Sequence, residues 1–266
     1  MRILVTNDDG IDAPGLAALE AVAAQLGEVW TVAPATEQSA RSHALTMHEP
    51  LRVVEHPRPG IHRRFAVTGT PADSVYIALH HLLPSPPDLT LSGINRGANL
   101  SNDVLYSGTV AAAREAAAHG IPALASSLWA RSASPRWDTA QQVTLRVART
   151  IIERGLPPRV LLSLNVPDLA PDALRGLRVA PLGLRHYAAS VAVKSDPRGR
   201  PYFWIGGDHD RFDDVPGTDG PLCEAGYATL TPLQMDLTAH DLLGEITSWH
   251  VELDGALPPE DPCSTT

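Results

Sequence analysis

Short β-branched runs that alternate with Ala- and Leu-rich segments constrain the fold of this chain more than any other feature of its sequence. Residues 2–6 (RILVT) are the first such run, and they stop abruptly at Asn7-Asp8-Asp9-Gly10, as a buried parallel strand does where its carboxyl end meets a loop. Pro14 then precedes GLAALEAVAAQLG, whose apolar spacing and closing Gly27 predict an amphipathic helix, and VWTVAP follows as a second strand. The Pro-bounded stretch TEQSARSHALTMHEPLRVVEHP holds two short candidate strands, LTM and LRVV, and FAVTGTPADSVYIALHHLL passes from strand through turn into helix. PDLTLSG and IPALASS flank a helix that starts near SGTVAAAREAAAHG, and TAQQVTLRVARTIIERG with VLLSLNVP adds one more helix and strand. Strands alternating with helices predict a parallel or mixed doubly wound α/β sheet, which binds ligands beyond the carboxyl ends of its strands.

The pattern changes near residue 180. From there to about 232 helical periodicity is lost and Gly, Pro and aromatic residues dominate (HYAASVAV, PYFWIGG, YATLTPL), so the expected division is an α/β body over 1–180 and a β-rich extension with a C-terminal segment over 181–266. The tail PPEDPCSTT reads as frayed. No window approaches the roughly 20 apolar residues of a membrane span, and MRILVTNDDG lacks the basic start, long apolar run and cleavage site of a secretory signal, so the expected location is the cytoplasm. Cys223 and Cys263 are too few for a disulfide framework and lack metal-ligand spacing. The formal charge of -9 disfavours a nucleic-acid duplex as partner.

Four polar turns follow candidate strands. In the first, the adjacent carboxylates Asp8 and Asp9 repel each other unless a cation or proton intervenes, although one acid capping a helix while the other is solvated is the plain alternative. In the second, Pro34-Ala35-Thr36-Glu37-Gln38-Ser39, the Ser39 hydroxyl is either a neutral oxygen ligand or a helix cap. The third, Ser92-Gly93-Ile94-Asn95-Arg96-Gly97-Ala98-Asn99, offers the amide oxygen of Asn95 or is an ordinary Asn/Gly turn. The fourth, Tyr106-Ser107-Gly108-Thr109-Val110, places hydroxyls and free N–H groups at a helix start, either an anion cradle or a simple cap. Their convergence on one sheet edge joins two carboxylates, a hydroxyl, an amide and a phosphate-sized cradle. Oxygen-only donors favour a hard cation such as Mg²⁺ or Mn²⁺.

NDDG, TEQS, GTPADSV, SGINRGAN, YSGTVAAAREA and the late GYATLTPLQMDLT stand in the order and spacing of the SurE (survival protein E) family, which the chain resembles over nearly its whole length. The resemblance implies a Rossmann-like, mostly parallel sheet with a projecting C-terminal β extension, and C-terminal segments exchanged within a homodimer or homotetramer. It implies one divalent metal ion per subunit on Asp8, Asp9, Ser39 and Asn95, with Asn95, Ser107, Gly108 and Thr109 around the substrate phosphate and Asp8 and Asp9 catalytic. The implied activity is hydrolysis of nucleoside 5'-monophosphates by metal-activated water, with 3'-nucleotides and short polyphosphate as further substrates. Ala40 and Ala111 stand where the family commonly has Gly, small-for-small changes that leave every implied ligand in place.

Three other readings are weaker on the residues themselves. An aspartyl-phosphate enzyme uses acids two apart on one side of an extended chain, and here Asn7 stands two before Asp9. A dinucleotide-dependent oxidoreductase, or a noncatalytic nucleotide-binding module, would carry G-x-G-x-x-G in the first βα turn, which this chain lacks. His43, His48, His80 and His81, the PYFWIGG aromatics, and Asp73 with Ser74 in GTPADSV read as packing or helix-starting residues, and Arg96 as reaching either substrate phosphate or solvent.

Overall fold

Ile3, Leu4 and Val5 are wholly buried, and the strand they form, β1 (Arg2–Thr6), lies inside a nine-stranded sheet. The structure is a computed structural model that describes residues 1–130, 132, 134–187, 191–205, 210–213 and 215–249. After β1 come α1 (Pro14–Ala23), β2 (Glu28–Pro34), β3 (Val53–Glu55), β4 (Arg63–Val67), α2 (Pro71–Ile77) with a π-helical turn at Ala78–Leu82, and β5 (Leu89–Arg96). A 3₁₀ turn at Ser101–Leu105 leads to α3 (Gly108–Ala118), β6 (Ala123–Trp129), α4 (Trp137–Arg154), β7 (Val160–Pro167) and β8 (Leu177–Val179). Four short strands follow, β9 (Arg185–Tyr187), β10 (Val191–Ser195), β11 (Pro201–Ile205) and β12 (Asp210–Phe212), and then α5 (Asp219–Glu224) and β13 (Ala228–Gln234).

The sheet order is β3-β4-β2-β1-β5-β6-β7-β13-β8, with β4 through β7 parallel in that row. From β1 the chain moves outward to β2 and β4, then returns to place β5 on the other side of β1. That reversal opens a crevice at the carboxyl ends of β1 and β5, where ligands of such sheets bind. One face buries Leu16, Leu19 and Val22 of α1 with Val147, Ala148 and Ile151 of α4. The other buries Val75 of α2 with Val110, Ala113, Ala116 and Ala117 of α3, so helices cover both faces as a mainly parallel sheet requires. The fold is the doubly wound α/β sheet that the alternation predicts, in the Rossmann-like, mostly parallel form that the family resemblance implies.

Several boundaries differ from the sequence reading. Helix α1 ends at Ala23 rather than at Gly27, and the intervening turn is closed by Gln25 N–H to Val22 O and Leu26 N–H to Ala23 O. LTM forms no strand, because Thr46 is drawn to the Asp73 carboxylate through its N–H (2.9 Å) and its hydroxyl (2.6 Å). Ala228–Gln234, assigned from sequence to the extension, instead runs antiparallel along β7 from Thr229 opposite Asn165 to Gln234 opposite Val160. It covers the edge that β7 would otherwise leave with unpaired backbone groups. The chain that leaves the sheet after β8 therefore returns to it, and between the two lie the antiparallel pairs β10–β11 and β9–β12.

Contacts divide the chain into Met1–Met235 and Asp236–Thr266. The described part of the second unit holds a 3₁₀ turn at His240–Leu242 and the helix α6 (Leu243–Thr247), with exposed Leu237, Leu243, Ile246 and Trp249. The tail PPEDPCSTT lies outside the described residues. Among the described residues no helix is long and apolar enough to cross a membrane.

Candidate active site

Asn7, wholly buried at the exit of β1, donates its amide to Gly10 O (2.9 Å) and so closes the loop that carries both acids. Gly10 sits at φ +100°, where a Cβ would lie 3.1 Å from the backbone of Thr36, so this loop needs glycine to cross the end of β2. Asp8 is 5% exposed. Its main-chain oxygen accepts from Gln38 N–H (2.7 Å), which ties the Ser39 loop to the acid loop. Its carboxylate Oδ1 accepts from the Thr109 hydroxyl, and a Cβ on Gly108 would lie 2.8 Å from Asp8 Cβ and 2.9 Å from Oδ2. The first turn of α3 thus rests directly against the carboxylate, with Ser107 as its cap accepting from Val110 N–H (3.0 Å). A helix N-terminus there favours negative charge.

Asp9, half-buried, accepts from Arg96 N–H through Oδ2 (3.2 Å), and this brings it to the end of β5 beside Asn95. Between Ser92 and Asn95 the pairing of β5 with β6 shifts register, re-aiming the strand end toward the crevice. The sequence reading placed a turn here; the strand continues through the irregularity to Arg96. The Asn95 amide group donates to Gly97 O (2.9 Å), which leaves its oxygen free to accept or ligate. Ser39 is exposed and donates its hydroxyl to Glu37 (2.6 Å), leaving its oxygen lone pairs available. Ala40 beside it has φ +57°, the left-handed region that favours glycine.

Burial pushes the Asp8 carboxyl up to about 6, the neighbouring Asp9 charge adds to the rise, and the Thr109 hydrogen bond opposes it. Asp9 is raised as well, by burial first and by the charge of Glu37, against the Arg96 hydrogen bond and charge. Two adjacent carboxylates so displaced are short of positive charge. Among the described residues no three His, Cys, Asp or Glu side chains gather as a metal-binding group, so a cation would have two acids and neutral oxygens as donors. The buried Asn7 Oδ1, an acceptor without a hydrogen-bond partner, adds an unsatisfied oxygen next to the acid pair in sequence. Oxygen donors of this kind fit Mg²⁺ or Mn²⁺.

Residues 3–189, which include the acids, the Ser39 loop, Asn95 and the α3 cap, match the family described as Survival protein SurE. The chain belongs to the SurE family. It is 46% identical over 251 residues to the 5'-nucleotidase SurE of Geobacter sp. (strain M21), covering 94% of this chain and all of that protein. It is 48% identical over 254 residues to the 5'-nucleotidase SurE of Chloroflexus aggregans, covering 95% of this chain and all of that one. The crystal structure of the SurE protein from Aquifex aeolicus superposes with a TM-score of 0.81 at 33% identity, over 94% of this chain and 99% of that chain.

Within this SurE sheet, contacts tie Asp8 to Thr109 and Gly108, and Asp9 to the end of β5, while Gln38 secures the Ser39 loop. Arg96 contributes its main-chain N–H to Asp9 and turns its guanidinium to Ser132 O (3.5 Å). His43 pairs with Glu115 of α3 (2.7 Å), and Asp73 completes a capping box with Thr70. Sequence reasoning missed a second layer around residues 99–101. Asn99 and Asn165 exchange two hydrogen bonds (2.8 and 3.1 Å), and the buried Asp219 carboxylate accepts from Ser101 N–H (2.7 Å), Ser101 hydroxyl (3.0 Å) and Gly183 N–H (2.9 Å). Each of these partners lies far away in sequence, so no local pattern announces them.

Proposed function

We propose that this protein is a divalent-metal-dependent 5'-nucleotidase that hydrolyses nucleoside monophosphates to nucleoside and inorganic phosphate. The observation that carries the reading is the Asp8–Asp9 pair, both carboxyls held above their ordinary pKa by burial and set against the N-terminus of α3 at the crevice between β1 and β5. The naming of the relatives as 5'-nucleotidases supports the substrate class.

In this proposal Asp8, Asp9, Asn95 and Ser39 hold one Mg²⁺ or Mn²⁺, which when bound supplies positive charge to the phosphoryl group and acidifies water. Ser107, Thr109 and the main chain at the start of α3 hold the phosphate oxygens, with Gly108 allowing the backbone to approach. Asn95 orients the phosphoryl group for in-line attack. Asp9, less enclosed than Asp8 and not bonded to Thr109, takes a proton from the attacking water as the water oxygen forms a bond to phosphorus and the ester P–O bond breaks, and gives that proton to the departing nucleoside oxygen. The same site accepts 3'-nucleotides and short polyphosphate, since the groups described grip phosphate rather than sugar. Exposed Leu237, Leu243, Ile246 and Trp249 support assembly of copies through their C-terminal segments. A cytoplasmic location belongs to the same proposal.

Phosphate release from 5'- and 3'-nucleoside monophosphates, short polyphosphate and p-nitrophenyl phosphate, with Mg²⁺, with Mn²⁺ and after chelation, tests this reading. Chelator-sensitive release that is lost in Asp8→Asn and in Asp9→Asn is expected. Nucleotide binding without release under either metal would favour a binding module instead.

A further inference from the structure

Arg64 and Glu20 form an ion pair with only 3% and 2% of their side chains exposed, at 2.8 Å. Arg64 lies on β4 and Glu20 on α1, where it occupies the buried face with Leu16, Leu19 and Ala23. Taking two charges out of water costs more than a well-packed apolar pair would, so stability alone is a poor reason for this arrangement. The remaining bonds of the guanidinium supply a better one. Its NH2 donates to the main-chain oxygen of Ile11, two residues beyond Asp9, and its NH1 meets His56 Nδ1 at 2.8 Å and Asp12 Oδ1 at 3.7 Å. Glu20 is held in turn by the Thr31 hydroxyl (2.9 Å) and Arg58 (3.0 Å).

We infer that Arg64, braced by Glu20, is a positioning residue that fixes the loop carrying Asp8 and Asp9 in its metal-binding form; the inference rests on the function proposed above. The loop has two shoulders. Asp8 O is fixed by Gln38 N–H at the first, while at the second Ile11 N–H reaches Pro34 O (2.8 Å) and Ile11 O reaches Arg64. Between them stands Gly10 at φ +100°, whose oxygen accepts from the Asn7 amide (2.9 Å) and from Ala13 N–H (3.1 Å), so a shift of the second shoulder is passed through these bonds to the acids. The two acids repel each other, and their mutual placement without a cation depends on the backbone being held. Among the described hydrogen bonds and ion pairs, none joins Arg64 to Asp8 or Asp9; it acts on them through the carbonyl of Ile11 and the carboxylate of Asp12.

The test uses Arg64→Met combined with Glu20→Leu, so that no charge is left buried and unpaired, and Arg64→Lys as a second variant that keeps the charge but not the planar fork. Melting temperature, hydrogen exchange of the amides of residues 10–13 in metal-free protein, Mn²⁺ affinity by electron paramagnetic resonance, and kcat with KM are read for each. Both variants are expected to fold, to exchange these amides faster, and to bind Mn²⁺ roughly ten-fold or more weakly. kcat is expected to fall more than KM rises. A folded variant with wild-type exchange in the loop, or with faster exchange but wild-type Mn²⁺ affinity, would overturn the inference. If the wild type itself binds neither Mn²⁺ nor Mg²⁺, the proposed function fails, and loop exchange alone then decides whether Arg64 holds the loop.

Discussion

Thr109 donates its hydroxyl to the buried Asp8 carboxylate from 101 residues away in sequence, so the cap region of α3 and the end of β1 form one unit. Thr109→Val removes that donor while keeping the side-chain shape. The hydrogen bond lowers the Asp8 carboxyl, which therefore rises further without it. Loss of a hydrogen bond to a charged group, about 1.5–3 kcal/mol, predicts a roughly 10- to 100-fold drop in kcat. The acidic limb of the pH–rate profile moves to higher pH, and Thr109→Ser restores both quantities in large part. An unshifted profile in Thr109→Val would show that the bond does not tune Asp8.

Asp8 also sets a pH dependence of stability in metal-free protein. Its folded value of about 6 lies above the ordinary 3.8, so its contribution is fully present below pH 3.8 and is lost as pH rises through about 6. Asp8→Asn removes the buried charge, and with chelator present it should raise stability at pH 8 by on the order of 1–3 kcal/mol while matching wild type near pH 4. Thermal melts across this range check it. An Asp8→Asn protein less stable than wild type at pH 8 would contradict burial as the leading cause.

Gly108→Ala favours helix by intrinsic propensity yet is expected to harm this one. The added Cβ would lie 2.8 Å from Asp8 Cβ and 3.1 Å from Pro71 Cγ, so the start of α3 or the acid loop must move. Destabilisation of about 1–3 kcal/mol is expected from denaturant titration. A larger fractional loss in kcat than in folded protein should accompany it.

Asp219 links the chain beyond β8 to the approach to Ser107. Asp219→Ala leaves the main-chain N–H groups of Ser101 and Gly183 without their acceptor, at about 1–3 kcal/mol for each that stays buried. Hydrogen exchange is expected to rise at residues 101–107 and not in β1. Uniform protection across both segments would show that Asp219 does not govern this loop.

Much of the fold is legible along the chain. RILVT, VWTVAP and VLLSLNVP become β1, β2 and β7 because predominantly apolar runs can be buried on both faces of a parallel sheet. YATLTPL was legible as a strand but not as part of the central sheet, since its pairing with β7 spans a long excursion that leaves no local trace. Helix α1 ends before its glycine because periodicity fixes which face is buried more tightly than where a helix stops. Glu20 carried one readable signal, a charge at the spacing of buried Leu16 and Ala23, but its partners lie on β2, on β4 and before β4.

The sequence by itself determined the family, the alternating α/β order, and the residue types offered at each polar turn, because these depend on local pattern and on motif order. Tertiary structure alone decided that Thr109 and Gly108 enclose Asp8, that Arg96 N–H meets Asp9, and that Arg64 grips Ile11. These are contacts between strand ends and helix starts far apart in the chain. Only the closing of the sheet brings such groups within hydrogen-bonding range, and there burial gives the acids acidities that their sequence neighbours could not.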